Sequence, residues 1–153
     1  EVEFLRLCEE LDLITHARAV EGEPNSRTQI FLTEDCSDTG LWYRLASVSY
    51  MGGSFFGSNP PNPMIAAALG SAVVHGPDVI YFQYAYARLC EAGATRPLQQ
   101  VGDLSQRVAE LMEPDQCAVM AEKGWRVVSE GAVITDRLVE LALQKIGFGD
   151  SKK

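Results

Sequence analysis

The feature that most constrains this fold is a repeated succession of a short apolar strand, a glycine- or proline-containing turn and a helix. Residues Ser47–Met51 predict a strand that ends directly at Gly52-Gly53-Ser54. Asn62-Pro63 then predicts a helix start, because Asn is a favoured N-cap and Pro is favoured at the first helical position. The succession repeats at the predicted strand Ala72–Val74, which is closed by Gly76-Pro77. This alternation indicates an α/β fold, a Rossmann-like parallel sheet with helices on both faces.

Hydrophobic periodicity predicts the other elements. Asp103 and Gln106 have the spacing of a capping box at the start of one helix. A polar segment over 21–26 predicts a loop, and residues 149–153 predict a frayed tail that follows one domain over 1–148. The predicted helices cover 2–12, 40–46, 64–69, 82–92, 104–113, 115–130 and 132–146, and the predicted strands cover 28–33, 47–51, 72–74 and 94–96.

Composition excludes several classes of function. The net charge of −8 opposes a nucleic-acid partner, which would need a basic surface. The chain has no apolar run of membrane-spanning length and no signal peptide, so we expect the fragment itself to be soluble. It does not begin with Met, and we therefore expect it to be a piece of a longer protein.

The cysteines and histidines predict neither a metal site nor a disulfide scaffold. No C-x-x-C pair occurs, and neither histidine lies near a cysteine. We therefore predict four free thiols in a reducing compartment, with no bound metal and no cofactor. The residues concerned are Cys8, Cys36, Cys90, Cys117, His16 and His75.

Two segments are candidates for ligand binding, because ligands of open parallel sheets bind beyond the carboxyl ends of the strands. In Gly52-Gly53-Ser54, glycines allow a ligand to approach the backbone, and the Ser54 hydroxyl could bind a phosphate or a sugar. At Asn62-Pro63, the free N–H groups of a helix start could hold an anion. Each segment alone is more often structural, and neither matches a dinucleotide or P-loop signature.

Several aromatic residues have a structural interpretation beside a functional one. Trp42 and Tyr43 are more typical of core packing than of ligand contact. The aromatic segment Tyr81–Tyr86 is more typical of a helix with one core face and one surface face than of a stacking platform. His75, directly after a predicted strand, is more typical of a structural histidine than of a catalytic base.

Taken in order, four segments resemble the C-terminal domain of the 3-deoxy-D-manno-octulosonic acid (Kdo) transferases. That family has the motifs G-L-F/W-Y-x-x-A-D, V/M-G-G-S, H-G-G-H-N-P-L-E-P-A-x-x-G and V-x-x-G-P-H-x-x-N-F. The spacing from Gly52 to Pro77 matches the family without a gap, and the resemblance covers about 1–148. The matching segments of this chain are 40–46, 51–55, 62–70 and 73–77.

The resemblance implies a GT-B glycosyltransferase, in which two Rossmann-like domains face each other across a cleft. The C-terminal domain of such an enzyme binds the CMP part of CMP-Kdo. The N-terminal domain holds the lipid A acceptor, the membrane anchor and the carboxylate base. By this comparison the chain lacks the N-terminal domain and the first strand of its own domain. We therefore expect an inactive domain whose partner is the N-terminal half, in a protein at the cytoplasmic face of the bacterial inner membrane.

This chain departs from the family pattern at the polar positions of the donor site. The H-G-G-H run falls on Ser58–Pro61, and the glutamate of N-P-L-E-P falls on Ile65. The departures leave open a degenerate, non-catalytic paralogue that binds another nucleotide sugar or a protein partner, and a nucleotide-binding domain with no transferase ancestry. No catalytic residue is predicted, and the candidate ligand-binding residues are Gly52, Gly53, Ser54, Asn62, Pro63, Ile65, Asp38, Gly76 and Pro77.

Overall fold

A computed structural model describes residues 2–33 and 37–145, except for the side chains of residues 2 and 132–134. Contacts divide the chain into two compact units, Glu1–Thr39 and Gly40–Lys153. The single domain predicted over 1–148 stays a prediction, and the predicted tail at 149–153 lies outside the described residues. No helix in the described part of the chain is long and apolar enough to cross a lipid bilayer.

The described residues of the first unit form two helices and two strands. They are α1 (Val2–Glu10), β1 (Thr15–Ala17), α2 (Arg18–Glu21) and β2 (Ile30–Leu32), and the two strands pair in parallel. The sequence predicted α1 and β2 but missed β1 and α2. Three or four residues are too short to establish a period, and α2 begins without a side-chain cap.

The second unit contains a three-stranded parallel sheet in the order β3-β4-β5. Short 3-10 turns at Ile80–Phe82 and Val101–Asp103 precede two of its helices. The elements in chain order are α3 (Thr39–Leu45), β3 (Val48–Met51), α4 (Pro63–Ala68), β4 (Ala72–His75), α5 (Gln83–Glu91), β5 (Thr95–Pro97), α6 (Leu104–Leu111) and α7 (Pro114–Lys145).

Helices cover both faces of this sheet. The central strand β4 is buried along its whole length, and alternate residues point to opposite faces. Val73 packs with Ala66 of α4 and Tyr86 of α5, whereas Val74 packs with Leu111 of α6 and Met120 of α7. The predicted fold class, an α/β parallel sheet with helices on both faces, is therefore confirmed.

A predicted helix break and a predicted helix cap are both wrong. Helix α7 continues through Gly131, where the sequence predicted a break between two helices; a glycine costs a helix only about 1 kcal/mol and does not end it. The Asp103 side chain does not cap α6 either. Its backbone is helical already (φ −78°, ψ −13°), and its carboxylate instead accepts a hydrogen bond from Gln100 at 3.2 Å.

The described cysteines are not in disulfides. Cys8, Cys90 and Cys117 are free thiols, and Cys36 lies outside the described residues. The Cys117 thiol donates to the carbonyl of Ser47 at 2.9 Å. Within the described ranges, no group of three or more His, Cys, Asp or Glu side chains could hold a metal ion.

Candidate functional site

Two loops meet at the carboxyl edge of the β3-β4-β5 sheet. One joins β3 to α4 over residues 52–62, and the other joins β4 to α5 over residues 76–82. The Gly76 amide donates to Ser54 Oγ at 2.8 Å, and the Asp78 amide donates to the Ser54 carbonyl at 2.8 Å. The structure thus brings the predicted segments Gly52–Ser54 and Gly76–Pro77 together.

The Ser54 hydroxyl bridges the ends of two strands. It donates to the Met51 carbonyl at 2.6 Å while it accepts from the Gly76 amide, and the residue is 0% exposed. Its only hydrogen is therefore already used within the protein, and a ligand could reach it only if the loop opened. The structure gives Ser54 a structural part, and its predicted contact with phosphate stays a prediction.

Two glycines are required by the loops themselves. A Cβ at Gly76 would lie 2.4 Å from the Ser54 carbonyl oxygen, closer than any real contact. Gly53 has a φ of +81°, and a Cβ there would lie 2.8 Å from the Ser58 carbonyl oxygen. A side chain at either position would therefore distort the edge, whether or not a ligand binds there.

The amides of Gly52 and Gly53 are two unpaired donors at this edge. Among the described residues, none accepts a hydrogen bond from either amide. Gly52 is exposed, and the backbone turns directly after it. Successive amides in a turn form a concave surface that binds anions. Two such amides could donate to an anion without any charged side chain.

The start of α4 is capped as predicted, and the cap uses up its donors. Asn62 Oδ1 accepts from the Met64 amide at 3.0 Å, Pro63 has no N–H, and the Ile65 amide reaches the Asn62 carbonyl at 3.4 Å. The helix is only six residues long. The expectation of free N–H groups at this helix start is therefore wrong: an anion would have to displace the Asn62 side chain.

The remaining predicted residues differ in their surroundings. Ile65 is 50% exposed on α4 and offers a solvent-facing hydrocarbon surface. Pro77 is exposed beside the buried Gly76. Asp38 belongs to the first unit, where its carboxylate pairs with the Arg18 guanidinium. The predicted ligand contacts of these residues stay predictions.

The buried rings of His75 and Tyr86 lie beneath this edge, and the sequence did not indicate that they contact each other. His75 is 5% exposed, and its Nδ1 lies 2.7 Å from the Gly76 carbonyl oxygen. Its ring centroid lies 4.6 Å from that of Tyr86, whose hydroxyl donates to the Pro61 carbonyl at 2.9 Å. A purely structural histidine usually has both ring nitrogens hydrogen-bonded. In the described structure, however, its buried Nε2 has no hydrogen-bond partner.

Burial sets the protonation of this pair. It lowers the pKa of His75, although the hydrogen bond to the Gly76 carbonyl acts in the opposite direction. Burial, and then the neighbouring Tyr43, raise the pKa of Tyr86 well above its usual range. Both rings are therefore neutral at physiological pH. One sequence signal could have shown that His75 belongs to the core. His75 lies two positions after Val73, so both side chains lie on the same face of β4.

The aromatic segment that follows this edge has one buried and one exposed side, as predicted. Tyr86 is buried, whereas Tyr81 and Tyr84 are 67% and 75% exposed. Tyr81 and Tyr84, together with Ile80, line an open groove beside α5. None of the described residues that line the groove is charged.

Comparison with known proteins places this arrangement in context. No family model matches the chain. Over 126 residues, 81% of this chain, it is 23% identical to the 3-deoxy-D-manno-octulosonic acid transferase of Haemophilus influenzae. The chain spans only 30% of the length of that relative.

A solved structure agrees with this match. The crystal structure of the C-terminal CMP-Kdo binding domain of WaaA from Acinetobacter baumannii superimposes with a TM-score of 0.74 and 26% identity. The match covers 82% of this chain and 66% of the other. In sequence the chain is similar to a Kdo transferase, and in fold it is similar to a C-terminal CMP-Kdo binding domain, as the order of its motifs predicts.

Proposed function

We propose that this chain is the donor-binding domain of a Kdo transferase and holds the CMP part of CMP-Kdo at the carboxyl edge of its β3-β4-β5 sheet. The observation that carries the proposal is the shared fold with a domain described as binding CMP-Kdo. The unpaired amides of Gly52 and Gly53 support it, because they offer an anion two donors at the edge where ligands of such sheets bind.

In the proposed reaction, an acceptor hydroxyl attacks the anomeric carbon of Kdo. The new carbon–oxygen bond forms as the bond to the CMP phosphate oxygen breaks, and CMP leaves with that electron pair. A base takes the hydroxyl proton, and donors around the phosphate stabilise the charge that develops on it. We assign that stabilisation to the Gly52 and Gly53 amides. We assign the base to no residue of this chain.

The whole enzyme would need further parts. We propose that a second domain binds the lipid A precursor, supplies the base and holds the protein at the cytoplasmic face of the inner membrane. The isolated chain should therefore transfer no Kdo. Measurable transfer to a lipid A precursor by this chain alone would contradict that division of labour.

One observation favours a second candidate function, a non-catalytic paralogue that binds another nucleotide sugar or a protein partner. Ile65 stands where the resembled family has a glutamate, and its exposed side chain has no atom that accepts a hydrogen bond. If ribose hydroxyls lie there, they lose an acceptor that is worth about 1–3 kcal/mol. We therefore expect CMP to bind weakly, with a millimolar dissociation constant that corresponds to about 4 kcal/mol.

A titration of CMP against the ¹⁵N-labelled chain tests the proposal. The Gly52 and Gly53 amide signals should shift and saturate in the millimolar range, and cytidine, which lacks the phosphate, should shift them far less. Shifts confined to other regions, or none up to roughly ten times the expected constant, would contradict the proposed site.

A further inference from the structure

The two loops of the candidate site are both attached to the His75–Tyr86 pair. From His75, a hydrogen bond reaches the Gly76 carbonyl in the loop after β4. From Tyr86, a hydrogen bond reaches the Pro61 carbonyl, one residue before the Asn62 cap in the loop after β3. The two rings contact each other, with centroids 4.6 Å apart. A single buried contact therefore connects the backbones of both loops.

We propose that His75 and Tyr86 are positioning residues that hold these two loops in their binding geometry, and that protonation of His75 releases them and weakens ligand binding in acid. The inference rests on the proposed function for its ligand. The loop geometry itself can be measured without one.

The hydrogen-bond pattern identifies the neutral form of the ring as the one that holds the loops. A carbonyl oxygen only accepts, so Nδ1 carries the hydrogen that bonds to Gly76. The buried Nε2 is then a lone pair without a partner in the described structure. A second proton on Nε2 would create a buried charged donor with no acceptor, which is much more costly than an unpaired lone pair.

The surroundings of His75 offer no compensation for that charge. Met51 of β3 and Pro97 of β5 flank it across the sheet, and both are uncharged. Tyr86 of α5 contacts the ring, and Tyr43 packs against the buried cluster that contains Tyr86; burial raises the pKa of both phenols, so both stay neutral. In the described ranges, no carboxylate forms an ion pair with the imidazole. Burial accordingly lowers the pKa of His75.

Release would spread from the ring to both loops. An imidazolium can satisfy Nε2 only by turning toward water, and that movement breaks its bond to Gly76 and its contact with Tyr86. The Gly76 amide is bonded to Ser54, which in turn holds the end of β3. Loss of the ring contact therefore loosens the glycine loop (Gly52–Ser54) as well as the segment before α4.

CMP affinity measured between about pH 8 and pH 5 tests the inference. Below the pKa of His75, affinity for CMP should fall about tenfold per pH unit beyond the change that the phosphate's own ionisation near pH 6 causes. His75→Asn keeps an N–H in the place of Nδ1 but cannot titrate, so its profile should show the phosphate effect alone. His16→Asn, in the first unit, should reproduce the wild-type profile.

Amide hydrogen exchange without ligand gives a second reading. The Gly76 and Met64 amides are both hydrogen-bonded in the site. In wild type both should lose protection as His75 titrates, and in His75→Asn neither should. Tyr86→Phe removes only the bond to Pro61, so it should lower protection at Met64 by roughly three- to tenfold and leave Gly76 less affected.

These readings separate two kinds of failure. If CMP binds at no pH but the amides open as His75 titrates, the proposed function fails and the positioning pair stands. If the amides keep their protection through the titration of His75, the inference is overturned, whether or not CMP binds. Should His75→Asn not fold, the wild-type titration and Tyr86→Phe still decide.

Discussion

The two halves of the predicted ligand site differ in what they leave unpaired. The glycine loop after β3, which turns at Gly53 with a φ of +81°, leaves the Gly52 and Gly53 amides without a partner in the described structure. The start of α4 consumes its own donors through Asn62 and Pro63. A strong helix cap and a free anion site therefore exclude each other here, and the comparison favours the glycine loop as the phosphate contact.

The largest effect on stability should come from Gly76, where the loop after β4 packs against the loop after β3. Gly76→Ala places a methyl group against the Ser54 carbonyl, so either the loop or β4 must move. We expect a loss of about 3 kcal/mol in the free energy of unfolding, measured by urea denaturation. Gly102→Ala is the matched control, because nothing lies within 4 Å of its Cβ and it should change stability little. Equal stability of the two variants would show that the edge tolerates displacement.

The next largest effect should distinguish Gly53 from Gly52. Gly53→Ala forces a side chain into the left-handed region and against Ser58, and we expect a loss of about 2 kcal/mol together with weaker CMP binding. Gly52→Ala keeps the amide and meets nothing within 4 Å, so it should preserve both properties. If Gly53→Ala binds CMP as tightly as Gly52→Ala, the amide turn is not the phosphate contact.

The start of α4 should show the opposite combination, a loss of stability with little change in CMP affinity. Asn62→Ala removes the cap of α4 and should lower the free energy of unfolding by about 1 kcal/mol. CMP affinity should fall less than it does in Gly53→Ala, since the donors of that helix start are already bonded within the protein. Calorimetry on the folded variant measures it. A loss of tenfold or more would restore the helix start as the anion site.

Local signals predicted the scaffold, and tertiary contacts decided the site. The strand–turn–helix order and the Asn62-Pro63 cap were readable because each depends on neighbours in the chain. The bridging part of Ser54 was not, because its partner Gly76 lies 22 residues away in the loop after another strand. In the same way, the second hydrogen bond of the His75–Tyr86 pair ends at Pro61, on a loop that no periodicity connects to α5.

The helix errors have the same origin. Gly131 and Asp103 carry the local marks of a helix break and a helix cap, yet α7 continues and Asp103 is already helical. Local propensity is a weak preference that tertiary packing overrides. The family resemblance succeeded where single marks failed, since it depends on the order and spacing of four segments rather than on any one of them.

The smallest expected effect concerns the ribose of CMP, which the comparison between the glycine loop and the start of α4 does not address. If ribose hydroxyls approach α4, Ile65→Glu supplies the acceptor that the exposed isoleucine lacks, and CMP should bind up to about tenfold tighter. The added charge also repels the phosphate of an anionic ligand, in a chain whose net charge is already −8, so the net gain should be modest. Ile65→Gln offers a neutral acceptor of similar size and separates the two contributions: it should gain the hydrogen bond without the repulsion. Titrating both variants with CMP and with cytidine decides the matter. If neither variant binds cytidine more tightly than wild type does, the ribose does not lie against this helix.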